Sequence, residues 1–254
     1  MQDLKVSTIQ ADLHWEDKQE NLKMFEMLIK NIQESTDLIL LPEMFSTGFS
    51  MRAAELAEEM DGNTLKWMIK MAQEKNAALA GSIIIKENNN YYNRLLFVNA
   101  DGDIQWYNKH HLFSMGDEHK FYTAGKERLQ IEYKTWKLNF VVCYDLRFGS
   151  WVQNNKQDAY DALIVLANWP EKRMEHWDAL LKARAIENQS YVIGVNRIGL
   201  DGNQIPHTGH TSIYHPFGTC EYYSELAEVH THTLSRHEVA LNRRQFPFIK
   251  DMDE

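Results

Sequence analysis

The sequence predicts an α/β protein with mixed sheets, and three observations carry that prediction. Short apolar runs alternate along the chain with longer segments in which apolar residues recur at helical spacing. Several of the runs stop abruptly at a charged or nucleophilic residue, as strands do at the carboxyl edge of an open sheet. In the middle of the chain, Tyr91 to Asn99 is joined to the run starting at Ile104 through Asp101-Gly102, a hairpin signal, so the sheets are not purely parallel.

Taken in order, Leu4 to Gln10 reads as a first strand. Leu22, Phe25, Leu28, Ile29 and Ile32 then mark a helix, with Asp17 near its start. Leu38 to Leu41 is a second strand, stopped by Pro42, which delivers Glu43 to a strand end. A helix from about Thr64 to Lys75 leads to the β run Ala78 to Ile85, and Asn88-Asn89-Asn90 reads as a loop. Ile104 to Lys109 alternates like a half-buried strand and finishes on Lys109, before a loop rich in histidine and glycine. The run Phe140-Val141-Val142 closes on Cys143 and gives way to Tyr144-Asp145-Leu146-Arg147. A short helix near Gly149 to Asn154 follows, then a strand from Ala162 to Ala167. The next element is a long helix from about Arg173 to Gln189, whose Met174, Trp177, Leu180 and Leu181 form an apolar face. Strands resume at Tyr191, with Asp201-Gly202 and Pro216-Phe217-Gly218 as turns. This order fits two sheets with helices on their outer faces. No Pro/Gly/Ser-rich linker and no repeat divides the 254 residues, so the expectation is a single domain, 1–254, with 235–254 as a C-terminal extension.

Composition excludes several classes. A formal net charge of -9 argues against nucleic acid as a partner, while leaving room for a local cationic pocket. The two cysteines, Cys143 and Cys220, make no disulfide framework, and Met1 to Gln10 lacks a basic region followed by a long apolar core. A reducing cytoplasm is therefore the expected location. No stretch approaches the roughly 20 apolar residues that span a bilayer. The histidines show no zinc-like spacing: His230 and His232 share a strand face, and His207, His210 and His215 lie in a turn-rich stretch, so no metal is expected. Cys220 has no base or cation at matching spacing.

Three strand ends thus carry a carboxylate, an ammonium and a thiol. A thiol attacks a carbonyl or nitrile carbon as thiolate, so it needs a base for its proton and a cation for the oxyanion that follows. Glu43, Lys109 and Cys143 supply those parts. Singly, each has a plain structural reading: a small core hydrophobe for Cys143, a loop cap for Glu43, a solvated lysine for Lys109.

Together they resemble a known family. The strings LPEMFSTGF (41–49), YNKHHLF (107–113), FVVCYDLRF (140–148), NWPEKR (168–173) and ARAIENQSYVIGVNR (183–197) are similar to the nitrilase superfamily of carbon-nitrogen hydrolases, in that family's order. NWPEKR, the 183–197 run and Asn242 to Pro247 are most similar to its ω-amidase branch. The resemblance implies a four-layer α-β-β-α sandwich and a homodimer packed through helices beside the site, one carrying Arg184 and Glu187. It implies no metal or organic cofactor. Glu43 would be the base and Cys143 the nucleophile, with Lys109 and the Tyr144 N–H holding the oxyanion and Glu118, in Gly116-Asp117-Glu118-His119, in support. An ω-amidase acts on dicarboxylic monoamides such as 2-oxoglutaramate and 2-oxosuccinamate, releasing ammonia through a thioester. Such a pocket must hold a distal carboxylate, which suits the Arg173 guanidinium. Trp169, Phe49 and Phe113 would wall the pocket, and Arg147 is expected to be a structural partner of nearby carboxylates.

Two departures stand out. Gly149-Ser150 occupy the place where most members have a proline and an acidic residue, and Thr211 and His215 stand where serine and aspartate are usual. Three alternatives remain at this stage. One is a superfamily relative acting on another amide, an N-carbamoyl amino acid or a nitrile. The others are a noncatalytic binding or thiol-sensing protein on the same scaffold and a cysteine-histidine protease.

Overall fold

Strand alternation sorts the apolar residues of this chain into separate layers. Leu38 and Leu40 lie in one core, while their neighbours Ile39 and Leu41 lie in another, because successive strand side chains face opposite ways. Phe140 and Val142 likewise share the first core, with Val141 in a third. The computed structural model describes residues 2–252, so the outermost positions of the expected 1–254 domain and of its 235–254 extension lie outside the described residues.

In chain order the first half runs β1 (Leu4–Gln10), α1 (Lys18–Lys30), β2 (Leu38–Leu40), α2 (Ala53–Leu56), α3 (Asn63–Lys75), β3 (Ala78–Glu87), β4 (Asn90–Val98), β5 (Ile104–Asn108) and α4 (Glu118–Phe121). The second half runs β6 (Leu129–Tyr133), β7 (Trp136–Val142), α5 (Gly149–Val152), β8 (Ala162–Leu166), α6 (Met174–Asn188) and β9 (Tyr191–Val195). It closes with β10 (Ile198–Leu200), β11 (Pro206–Thr208), β12 (Thr211–Tyr214), β13 (Cys220–Ser224), β14 (Glu228–Leu234) and α7 (Arg236–Gln245).

These strands form two six-stranded sheets, ordered β14-β1-β2-β3-β4-β5 and β13-β12-β9-β8-β7-β6, with β10-β11 as a separate two-stranded ribbon. The sheets share one plan. Each has a parallel centre, β1-β2-β3 or β7-β8-β9, flanked on both sides by antiparallel strands. Their facing sides bury a common core that includes Val6, Leu40, Phe97, Phe140 and Ile164. α1 and α3 cover the far face of the first sheet with Phe25, Ile29, Met68 and Met71, and α6 covers the second with Trp177, Leu181 and Ala185. The result is the expected α-β-β-α sandwich.

Local chemistry explains the details. Asp17 caps α1 by accepting from the Glu20 N–H at 3.1 Å. Gly194 in β9 lets α6 settle onto the sheet, since a Cβ there would stand 2.5 Å from Leu181 and 2.6 Å from Trp177. The stretch 88–90 is tighter than a loop: Asn88 and Asn89 both take left-handed φ, 49° and 62°, and make a two-residue turn that pairs Glu87 with Asn90. Asparagine tolerates that conformation, and it suits the twist of a hairpin. The C-terminal segment packs into the body, with Val239 in the inter-sheet core and Arg243 meeting Asp161. Among the described residues no helix is long and apolar enough to cross a membrane.

Candidate active site

Glu43, Lys109 and Glu118 come together where the first sheet gives out. Pro42 stops the strand, and Glu43 is fully buried just beyond it. Its Oε1 accepts from Lys109 Nζ at 2.9 Å and from Asn93 Nδ2 at 2.8 Å, and its Oε2 accepts the Asn168 N–H at 2.8 Å. Lys109 follows β5 directly and also donates to Glu118 Oε2 at 2.9 Å and Oε1 at 3.1 Å. Glu118 begins α4 in full burial and accepts the Phe113 N–H at 2.6 Å. One buried ammonium thus lies between two buried carboxylates. Burial works to lower the Lys109 pKa, but the charges of Glu118 and Glu43 outweigh it and hold the ammonium above its ordinary range. Burial raises the Glu118 carboxyl, with Lys109 opposing and Glu43 adding to the rise.

Cys143 is presented by the second sheet on a strained turn. It follows β7 with φ 47° and opens the 3-10 turn Cys143–Arg147. A left-handed non-glycine residue costs about 1–3 kcal/mol and persists only where its surroundings hold it. Asp145 supplies that hold, accepting from the N–H groups of Val142 at 3.1 Å and His111 at 2.8 Å, and from the Tyr107 hydroxyl at 2.7 Å. Tyr107 in turn accepts from Trp151 Nε1 at 3.0 Å. His110 stacks on Trp151 and His111 on Phe148, each with ring centroids 3.7 Å apart. Arg184 donates from behind to the carbonyl of Leu146 at 3.0 Å. It is buried and also pairs with Glu187 at 2.7 Å. Gly149 leaves it room, because a Cβ there would come within 3.3 Å of its guanidinium, which gives the departure at Gly149-Ser150 a physical consequence. Burial pushes the Cys143 thiol well above its usual pKa, and the Glu43 charge adds to this while Lys109 opposes it.

The thiol opens into a cavity of about 130 Å³. Glu43, Lys109, Phe49, Phe113, Tyr144, Trp169 and Arg173 all line it, while Glu118 stands behind Lys109. Sequence reasoning did not single out Asn93 or Asn168, which orient Glu43, nor Asp145. It also missed the wall built by Asp201, Asn203, Ile205 and His207 from the β10–β11 ribbon. Asn93 and Arg94, polar residues just ahead of the apolar run Leu95 to Val98 in β4, were the available signal. Arg147 corrects the expectation made for it: it lines the cavity, lies 4.8 Å over the Trp169 ring and has no carboxylate partner among the described residues. The turn that strains Cys143 carries Arg147 round to the same side. Thr211 and His215 stand outside the cavity wall; Thr211 Oγ1 accepts the Asn196 N–H, and His215 stacks on Phe217. Among the described residues no three His, Cys, Asp or Glu side chains gather as a metal site, and His230 is stacked on Tyr222.

A double-sheet sandwich with a thiol, carboxylates and an ammonium converging at its strand ends narrows the class of protein, and comparison with known proteins fixes it. Residues 5–242 match carbon-nitrogen hydrolase, and the chain belongs to that family. It is 40% identical over 261 residues to the omega-amidase YafV of Escherichia coli (strain K12), covering 100% of this chain and 98% of that protein. It is 33% identical to a 2-oxoglutaramate amidase of Bacillus subtilis (strain 168), over 84% of this chain and 83% of the relative. Among solved structures, it superposes with a TM-score of 0.98 on a CN-hydrolase superfamily protein from Xanthomonas campestris that carries an arsenic adduct in its active site. That protein is 39% identical, over 100% of this chain and 98% of the other.

Proposed function

We propose that the protein is an ω-amidase, hydrolysing the terminal amide of small dicarboxylic monoamides such as 2-oxoglutaramate and 2-oxosuccinamate to acid and ammonia. The observation that carries this reading is one small cavity holding Cys143, Glu43 and Lys109 together with Arg173. The Arg173 guanidinium lies 4.9 Å over the Phe113 ring and meets no carboxylate among the described residues. A chemical group and a charge for the substrate's far end thus share one space. The similarity to an omega-amidase and a 2-oxoglutaramate amidase supports the same substrate class.

In the first half-reaction Glu43 takes the Cys143 proton as the sulfur attacks the amide carbon. Lys109 Nζ and the Tyr144 N–H receive the oxyanion. Glu43 returns the proton to the nitrogen, the C–N bond breaks and ammonia leaves a thioester on Cys143. Glu43 then deprotonates water, which attacks the thioester; the C–S bond breaks and the sulfur recovers the proton. Glu118 keeps Lys109 charged and placed. No step calls on a metal or organic cofactor.

The working form we propose is a cytoplasmic homodimer with no nucleic-acid partner. Ile186 on α6 and Phe217, Phe246 and Phe248 near the C-terminus are exposed, with Phe217 and Phe246 ring centroids 5.9 Å apart, and such an apolar patch suits a second copy. Sedimentation at micromolar concentration checks it, and a monomer would overturn it.

The decisive experiment is ammonia release from 2-oxoglutaramate, 2-oxosuccinamate, glutaramate, an N-carbamoyl amino acid and a simple nitrile, each repeated with Cys143→Ala. Cys143-dependent turnover confined to the monoamides is expected, with loss of roughly 10-fold or more in kcat/KM for Arg173→Gln. Preferential turnover of the carbamoyl compound or the nitrile would keep the mechanism and overturn the substrate.

A further inference from the structure

Arg147 is a charged group in the cavity wall that the hydrolysis itself does not use. Its guanidinium lies 4.8 Å over the Trp169 ring and 5.9 Å from that of Tyr144, and its Nη2 stands 3.1 Å from His176 Nδ1. Arg173 lies 4.9 Å over Phe113 in the same cavity. Neither arginine has a carboxylate partner among the described residues. Burial lowers the Arg173 pKa, Cys143 opposes this, and the Arg147 charge adds to the lowering. Two like charges converging on one space are costly unless an anion comes between them.

The carboxylates of the wall are already engaged. Glu43 is held by Lys109, Asn93 and Asn168. Asp201 turns into its own loop, where Oδ1 accepts the N–H groups of Asn203 at 2.8 Å and Ile205 at 2.9 Å. The cavity therefore offers a substrate two guanidinium forks that no carboxylate of the wall pairs with.

We infer that Arg147 is a specificity-determining residue that, together with Arg173, grips an α-carboxylate and the carbonyl oxygen beside it, so that 2-oxo-acid monoamides are accepted and amino-acid amides are refused. The inference rests on the ω-amidase reading and deepens it. A 2-oxo acid presents adjacent acceptor oxygens to which two planar donor groups can bond. The α-ammonium of glutamine at the same place would face two cations. Removing one positive charge therefore weakens the oxo acid and relaxes the barrier to the amino acid.

The test is steady-state kinetics of wild type, Arg147→Gln and Arg147→Lys with 2-oxoglutaramate, glutaramate and glutamine, with melting curves to verify folding. For Arg147→Gln the expected result is a KM for 2-oxoglutaramate raised roughly 10- to 100-fold with kcat little changed, a smaller effect on glutaramate, and a reduced preference over glutamine. Partial recovery by Arg147→Lys is also expected. Equal loss on all substrates, or an unchanged preference, would overturn the inference. Calorimetry of 2-oxoglutarate binding to Cys143→Ala, with and without Arg147→Gln, separates this from the parent reading. If wild type hydrolyses no monoamide, the ω-amidase reading fails, yet Arg147-dependent binding of 2-oxoglutarate would still support the clamp. Binding that is absent, or indifferent to Arg147, would sink it.

Discussion

The two sheets are built to one plan and loaded in opposite ways. At the carboxyl ends of the first, Glu43, Lys109 and Glu118 form a closed charged shelf: each partner of Lys109 is within 3.1 Å, and Asn93, Asn168 and the Phe113 N–H take up remaining acceptors. At the ends of the second stand a strained thiol and two guanidinium groups without carboxylate partners. One half is tied together by the protein's own hydrogen bonds, which hold its charges in place. The other is left without carboxylate partners, and in the function proposed above a ligand completes it. Preorganised charge for the chemistry and open valence for recognition are thus separated by sheet.

That contrast can be broken most severely at the shelf. Glu43→Gln keeps the size and can still accept from Lys109, but it cannot take the thiol proton, so kcat should fall roughly 10²- to 10⁴-fold while substrate affinity changes little. Single-turnover kinetics with 2-oxoglutaramate checks this, and a rate within a few-fold of wild type would remove Glu43 as the base. Lys109→Met should abolish turnover and also cost about 3–5 kcal/mol of stability, because it strands two buried carboxylates. Chemical denaturation measures that loss, and adding Glu118→Gln should restore part of it. A full restoration of activity by the double variant would contradict the oxyanion role.

The elbow should yield less. Asp145→Asn places an amide N–H₂ among donors that now point to a carboxylate, and a cost of about 1–3 kcal/mol is expected from the unpaired group, with Cys143 reactivity altered alongside. Iodoacetamide labelling rates report the latter; identical rates and melting would show that the turn holds itself. The smallest effect lies in the ribbon wall. Burial, aided by the Arg197 charge, pushes His207 down to about 4 from 6.5, so the folded protein keeps it neutral where the unfolded chain takes up a proton. Its contribution is present above pH 6.5 and is lost as pH falls toward 4. His207→Gln should therefore flatten the melting temperature over that window, and an unchanged slope would assign the acid sensitivity elsewhere.

What could be read from the sequence follows from what punctuates a strand. Glu43, Lys109 and Cys143 each end an apolar or alternating run, and proline or a polar turn fixes where the run stops, so their shared edge was legible before any coordinates. Asn93 was not, because its role depends on the register that sets β4 against β3, with Asn93 opposite Ile84. Arg147 was misjudged for a related reason. A cation near acidic residues in sequence suggests pairing, but Asp145 spends its oxygens on Val142, Tyr107 and His111, leaving none for it. The β10–β11 ribbon carries only a turn signal at Asp201-Gly202, and its place over the cavity is a tertiary fact.

The Asp145 network also says when the site comes into being. Its links to Tyr107 and His111 join residues 38 and 34 positions apart in the chain, one on each sheet's side of the sandwich. Contacts of that separation form only after the intervening chain has closed on itself, so neither sheet can acquire a working centre while it folds alone. Activity should accordingly lag behind strand formation during refolding, and appear only as the two sheets dock.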